Sequence, residues 1–403
     1  MGKVKNIVII FDSLIQKYKN TTIMKNQDIL INKLIALRKK LHTNAELSEN
    51  EHKTQKIISN FIKTNVQKGI IQNIGETGLA VIFDSKKQGK TIMFRADIDA
   101  LPIFEDSSLL PYSSLNTGVS HKCGHDGHTA ILCGLACLLN ESFPLKGRIV
   151  LLFQPAEETG KGAKKVIDDK FFKQIEPDFI FALHNLPGFD KNKIIIIPNN
   201  FASASKGMII KIIGKTSHAA YPEFGKNPAL AMSKIIQRLS SLISDFECFN
   251  NFVLLTIIYA KLGEKAFGTS PGEAEICATL RSFDNENMKK LCYEAELIVK
   301  ETVLEHDLDV IIEWTEEFDA TNNNKVALKY IIDAVDKCGL SKINMNEAFR
   351  WSEDFGQFTS HYAGAMFGVG AGVYHPQLHT WNYDFPDDII ETCMSIFFEI
   401  SMS

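Results

Sequence analysis

The stretch Arg148–Glu158, RIVLLFQPAEE, decides the architecture. From Arg148 to Phe153 it is a short β-rich run, and Gln154-Pro155-Ala156 turns it sharply before two adjacent carboxylates, Glu157 and Glu158. Runs of the same kind occur at Ala80 to Phe83, Thr91 to Arg95 and Phe179 to Leu183. Helical patterns at Thr129 to Asn140 and Ala163 to Asp169 separate them. Alternation of strand and helix predicts an α/β sheet with some parallel pairing. Ahead of it, Leu30, Leu34, Leu37 and Leu41 give a helical period over Asp28 to His42, and Ser48 with Glu51 forms a capping-box pattern before Ile57, Ile58, Phe61 and Ile62.

After Pro198 the pattern changes to a strand (Met208 to Ile213), a helix (Asn227 to Ser244), two strands (Phe252 to Ala260, Glu273 to Ser282), a helix (Glu286 to Glu305) and a strand (Asp309 to Trp314). That is a split β-α-β order of the ferredoxin-like type. Asn322-Asn323-Asn324 reads as a polar linker to a further helix, Val326 to Cys338, which suggests that the small unit is inserted into the larger one.

The chain's 403 residues fit two domains, and 45% hydrophobic with 23% charged residues is ordinary globular composition. A net charge of -4 offers no basic field, so neither nucleic acid nor a membrane surface is an expected partner. Eight cysteines without compact spacing predict reduced thiols and a cytoplasmic setting. The apolar run Ile7 to Phe11 is too short for a signal-peptide core, and no stretch has about 20 apolar residues.

Three of the strands run into reactive residues: Asp97 and Asp99 after the first, Glu157-Glu158 after the second, His184 after the third. Carboxyl ends of strands open onto the ligand crevice of an α/β sheet, so the three sets converge. The densest cluster is His121-Lys122-Cys123-Gly124-His125-Asp126-Gly127-His128, just before the helix expected from Thr129. Thiolate and imidazole suit zinc and similar metals, and the glycines let Cys123 and His125 face one centre. Cys133 and Cys137, one turn apart on that helix, read as small core residues. Adjacent carboxylates repel unless something positive intervenes; with a metal, one of Glu157 and Glu158 ligates while the other accepts a proton. Either His375 or His379 fits as a last ligand, and spacing does not choose between them.

The ordered stretches LRKKLHTNAELSENEHKT, FRADIDALPI, CGHDGHTA, LLFQPAEETGKGAKKVI, ALHNLP, GKTSHAAYPEFGKNP, ATLRSFD, SEDFGQF and LHTWNYDF resemble the amidohydrolase branch of the metallo-aminoacylase and carboxypeptidase family. That branch includes hippurate hydrolases, auxin-conjugate hydrolases and N-acetyl-amino-acid deacetylases. The resemblance implies hydrolysis of N-acyl or N-aminoacyl amino acids, two divalent ions per subunit (zinc or manganese ahead of cobalt or nickel), and a homodimer formed through a lid. It implies Cys123, His125, Glu158, His184 and His379 as ligands, Glu157 as base, Asp97 as an acid orienting a histidine ligand and His218 as an oxyanion contact from the lid. Arg281 and Asn227 are the substrate-binding candidates, Arg281 because a guanidinium fork matches a carboxylate. Since His379 must meet His125, residues 1–199 and 316–403 are expected to form one catalytic domain around a lid of residues 200–315. Two departures stand out: Ala45 replaces a proline, and Phe267-Gly268-Thr269-Ser270-Pro271 replaces an Asn-containing lid segment, which bears on substrate choice. The rival readings are an all-helical HD-type phosphohydrolase, suggested by His125-Asp126, and a metal-dependent binding module without catalysis.

Overall fold

The computed structural model describes residues 27–108, 110–243 and 249–403. The apolar run Ile7–Phe11 and the end of the helix expected to reach Ser244 lie outside them.

The larger sheet has eight strands, in the spatial order Ile70–Ile74, Gly78–Asp84, Arg148–Gln154, Thr91–Asp97, Phe179–Pro187, Gly364–Gly372, Ile194–Ile196 and Lys342–Asn344. Parallel pairing joins Thr91–Asp97 to both of its neighbours, Phe179–Pro187 to Gly364–Gly372, and Ile194–Ile196 to Lys342–Asn344. The other pairings are antiparallel. The two-residue period sorts side chains between faces. Ile149, Leu151 and Phe153 pack with Leu132, Ile331 and Phe397 from the helices His125–Glu141, Lys325–Lys337 and Ile390–Ser401. Val150 and Leu152 pack with Ala163, Val166 and Phe358 on the opposite face. Covered on both faces, the central strands need no polar alternation, which is why they read as continuous apolar runs. An all-helical architecture, the requirement of the phosphohydrolase reading, is excluded.

The second sheet is antiparallel throughout, in the order Val253–Leu262, Glu273–Ser282, Ala204–Ile213, Asp309–Phe318. Helices Ala229–Leu242 and Asn285–Glu305 bury Ile235, Leu239, Leu291 and Val299 against Ile210, Ile276 and Leu280 of these strands. The chain crosses between the two sheets through Asn199–Ala202 and Thr321–Asn323, which pair with each other as a short ribbon.

Several local expectations are corrected. Ser48 does not cap the helix His52–Asn65: its hydroxyl donates to Asp99 Oδ2 at 2.7 Å, and Glu46 Oε2 accepts the N–H groups of Lys53 and Thr54, each at 2.8 Å. The asparagine run is not a solvated linker. Asn323 is buried, donating to the carbonyls of Ile197 and Met366 and accepting the Met366 N–H, while Asn324 caps the helix Lys325–Lys337. The helix expected from Thr129 begins at His125. The core strand Gly364–Gly372 escapes sequence reading because its glycines dilute the β signal. They are required by close approach: a Cβ at Gly370 would lie 1.9 Å from the Asp190 carbonyl, and one at Gly368 would lie 2.2 Å from Leu186 Cδ1.

A buried polar network ties the first helical segment, residues 27–43, to the cluster beyond it. Arg38 binds Asp384 and Asp387 at 2.8 and 2.9 Å, and His42 bridges Asp126 and Glu105, each at 2.9 Å. Burial alone would lower the His42 pKa, but its hydrogen bonds to these two acids raise it to about 9. The protonated ring therefore stabilises the fold fully below its ordinary value of 6.5, and that stabilisation fades as pH rises through about 9. At about 1.4 kcal/mol per unit, it amounts to roughly 3 kcal/mol. In chemical denaturation the stability gap between wild type and His42→Gln should be widest near pH 6 and should close towards pH 10. A gap independent of pH would contradict a charged His42.

Candidate metal centre

Five chain segments deliver the site, the fifth being the C-terminal stretch that carries His379. Thr91–Asp97 ends at Asp97, with Asp99 just beyond. The turn after Arg148–Gln154 carries Glu157 and Glu158, and its Ala156, at φ +52°, is held by the Glu51 carboxylate accepting the Ala156 N–H at 2.8 Å. His184 lies within Phe179–Pro187. Between Cys123 and His125 stands Gly124, at φ +101°, where a Cβ would lie 2.5 Å from Asn185 Oδ1. Glycine is thus demanded there both by backbone conformation and by space.

Donor atoms of Cys123, His125 and His184 lie within 4.8 Å of one another, as do those of His125, Glu157 and Glu158, and those of Cys123, Glu158 and His379. The Cys123 Sγ to His184 Nε2 distance is 3.4 Å. His184 Nδ1 donates to the Asn185 carbonyl at 2.9 Å, which turns Nε2 towards the cluster. His125 Nδ1 likewise donates to the Asp99 carbonyl at 3.0 Å, leaving Nε2 facing Glu158 Oε1 at 3.8 Å and Glu157 Oε2 at 3.9 Å. His379, held by donation of its N–H to the Lys122 carbonyl at 2.7 Å, stands half-exposed at the mouth with Nε2 3.6 Å from Glu158 Oε1. His375 points away, its Nε2 bonded to the Asp384 carbonyl at 2.7 Å.

His125 Nε2 and Glu158 Oε1 are buried without a hydrogen-bond partner. Burial, followed by repulsion from Glu353, Glu158 and Asp354, pushes the Glu157 carboxyl up, and burial pushes Glu158 to about 8. Burial raises the Cys123 thiol as well. Orphaned donors facing crowded acids form an arrangement that a cation would relieve, so the donor set fits a metal on geometry and on charge.

Asp97 bonds His128 Nδ1 at 2.6 Å and accepts from Arg95 at 2.7 Å; the His125 ring is set by Asp99. His128 is further bonded to Asn185 at 2.6 Å, a linking role that its place in a histidine-rich motif does not reveal. Two more contributors lie in a stretch the sequence reading left without roles. Trp351 places its ring 5.2 Å from that of His184, and the Asp354 N–H donates to Glu157 Oε1 at 3.2 Å. The signal for the second was a further acidic pair, Glu353-Asp354, directly before apolar Phe355.

The other three candidates lie outside the cluster: His218 on the two-stranded ribbon of Ser217–His218 with Thr269–Ser270, Asn227 before the helix Ala229–Leu242, and Arg281 on the strand Glu273–Ser282. His218 accepts the Ala220 N–H at 3.0 Å, and among the described residues none of its hydrogen bonds, ion pairs or ring contacts reaches the cluster. Asn227 donates to Ser270 Oγ at 3.1 Å and its Oδ1 accepts the Ala229 N–H at 2.9 Å. Arg281 Nη1 donates to the Arg350 carbonyl and to Ser352 Oγ, each at 3.0 Å.

The chain is 33% identical over 364 residues to an N-acetyl-L-cysteine deacetylase of Bacillus subtilis, covering 89% of this chain and 84% of the relative. It is 30% identical over 371 residues to a hippurate hydrolase of Campylobacter jejuni, covering 91% and 95%. The crystal structure of a dinuclear metal-binding peptidase from Bacillus subtilis superposes with a TM-score of 0.79 at 25% identity, covering 93% of this chain and 98% of that one. The profile of peptidase family M20/M25/M40 matches residues 93–403, a span that holds Asp97, Cys123, His125, Glu157, Glu158, His184 and His379 together, and the chain belongs to that family.

Proposed function

We propose that the chain is a metal-dependent amidohydrolase that cleaves N-acyl or N-aminoacyl amino acids to a carboxylate and a free amino acid. The observation that carries this reading is a cation-ready donor set standing beside a buried carboxyl, Glu157, that a backbone N–H holds from behind. Relatives named N-acetyl-L-cysteine deacetylase and hippurate hydrolase support the substrate class.

Cys123, His125, Glu158, His184 and His379 would hold two divalent ions. A thiolate and three imidazoles suit zinc and similar transition metals, and manganese, cobalt and nickel also stand as candidates. Bound there, the ions supply Lewis-acid polarisation of the amide carbonyl and acidify a water. Glu157 takes the proton of the attacking water on the oxygen facing His125 and passes it to the leaving nitrogen, while the Asp354 N–H fixes its other oxygen. The upward push on its pKa is in the direction that a base working near neutral pH requires. Asp97 and Asp99 keep His128 and His125 in their orientations.

Residues 1–199 and 316–403 form the catalytic domain in this reading, and residues 200–315 form a ferredoxin-like lid. Its closure, or a second subunit, brings His218 to the developing oxyanion and Asn227 to the substrate. The edge strand Val253–Leu262 exposes Ile258, Tyr259 and Leu262, which supports a homodimer through this unit. Among the described residues no helix is long and apolar enough to cross a membrane, and the scattered thiols support a cytoplasmic setting.

Replacing Glu157 by Gln should keep the bound metal and lower kcat about 10²- to 10⁴-fold on the best substrate of a panel of acetyl, benzoyl, indole-acetyl and aminoacyl amides. Near-wild-type turnover would reject Glu157 as the base, and a metal-loaded wild type inert across the panel would favour a binding module. Cys123→Ser should reduce the metal retained after dialysis below that of wild type, read by plasma mass spectrometry. Unchanged retention would remove Cys123 from the ligand set.

A further inference from the structure

Residues 348–354, Ala-Phe-Arg-Trp-Ser-Glu-Asp, touch three parts of the molecule at once. They lie along the ribbon that joins the two sheets: the Phe349 N–H donates to the Phe201 carbonyl at 2.9 Å, and the Ser203 N–H donates to the carbonyls of Phe349 and Trp351 at 3.1 and 3.0 Å. They are gripped from the second sheet by Arg281, on the strand Glu273–Ser282, through the Arg350 carbonyl and Ser352 Oγ, while the Arg350 guanidinium sits 4.8 Å from the centre of the Phe252 ring. At the other end they enter the metal centre. Trp351 packs on His184, Glu353 lies 2.9 Å from Arg95, and the Asp354 N–H holds Glu157. Phe349 stacks on Trp351 at 5.1 Å and Phe201 meets it edge-on at 5.9 Å, so the ring is braced by two aromatic neighbours besides His184.

We propose that Arg281 is a positioning residue: by fixing the Arg350 carbonyl and the Ser352 hydroxyl it sets the 348–354 segment, and through Trp351 and the Asp354 N–H it aligns His184 and Glu157. This rests on the reading of Glu157 as base and His184 as ligand. The chain from Ser352 to Asp354 is too short to absorb a displacement of the segment, and a shift of about 1 Å at a reacting group can cost on the order of 10²-fold in rate. The two acceptors are neutral, and among the described residues no carboxylate pairs with Arg281, so the guanidinium acts here as a directional donor and not as half of an ion pair. The second sheet thereby gains a mechanical connection to the base, and its position is felt at Glu157 without any lid residue entering the cluster.

The test compares Arg281→Met and Arg281→Lys on an N-acyl amino acid and on the same compound with its carboxylate converted to an amide. Positioning predicts that Arg281→Met lowers kcat by about tenfold or more, by a similar factor on both substrates, with KM changed less than about threefold. It also predicts that Ser352→Ala adds little to the loss in the double variant. A rise in KM confined to the carboxylate substrate, with kcat kept, would overturn the proposal and make Arg281 a carboxylate grip. A readout independent of turnover is Trp351 fluorescence in a Trp314→Phe, Trp381→Phe background. Arg281→Met should shift its emission and raise its quenching by acrylamide, and an unchanged signal overturns the proposal even if the protein cleaves neither substrate.

Discussion

Burying carboxylates without matching positive charge is the constraint around which this molecule is arranged. Asp97, Glu157, Glu353 and Asp354 are buried with Glu158 beside them, and the protein answers on one side only: Arg95 reaches Asp97, Glu353 and Asp354 at 2.7 to 2.9 Å. Glu157 and Glu158 face imidazoles and a thiol instead. An uncompensated buried acid is costly enough that such a group either takes a proton or finds a cation. The parallel middle of the sheet makes this crowding possible, because it brings the carboxyl ends of Arg148–Gln154, Thr91–Asp97 and Phe179–Pro187 to one edge.

Much of this was legible in the sequence, and the reason is local. The three strands are mainly apolar because both of their faces are covered, and each carries or leads into its candidate residue, so fold and site were written in the same short segments. The helix beginning at His125 was harder to place, since Gly124 and Gly127 blur its start. What escaped was set by tertiary contact. The strand Gly364–Gly372 carries glycines because Asp190 and Leu186 press against it, and nothing within the strand announces those neighbours. Ser48 satisfies the pattern of a helix cap, yet Asp99, distant in sequence, takes its hydroxyl. Asn322-Asn323-Asn324 has the composition of a linker, but Asn323 is buried between the carbonyls of Ile197 and Met366.

The site's residues divide the same way. Cysteine, histidine and glutamate declare themselves by type, whereas Trp351 and the Asp354 N–H act through position alone. Both belong to a segment that also lies on the ribbon between the sheets, so the same seven residues help to close the fold and to hold the Glu157 carboxyl. Arg38 and His42 play the corresponding part behind the cluster, where they neutralise Asp126 next to His125 and keep that helix start in place.

The central claim is that the acids which Arg95 leaves unmatched are balanced by two cations in the Cys123, His125, Glu158, His184 and His379 set. Anomalous diffraction at the zinc and manganese absorption edges, from crystals grown with each metal, tests it most directly. The account predicts two peaks, each bounded by donors from that set. The absence of any peak within the cluster, or occupancy only among Glu157, Glu353 and Asp354, would contradict it.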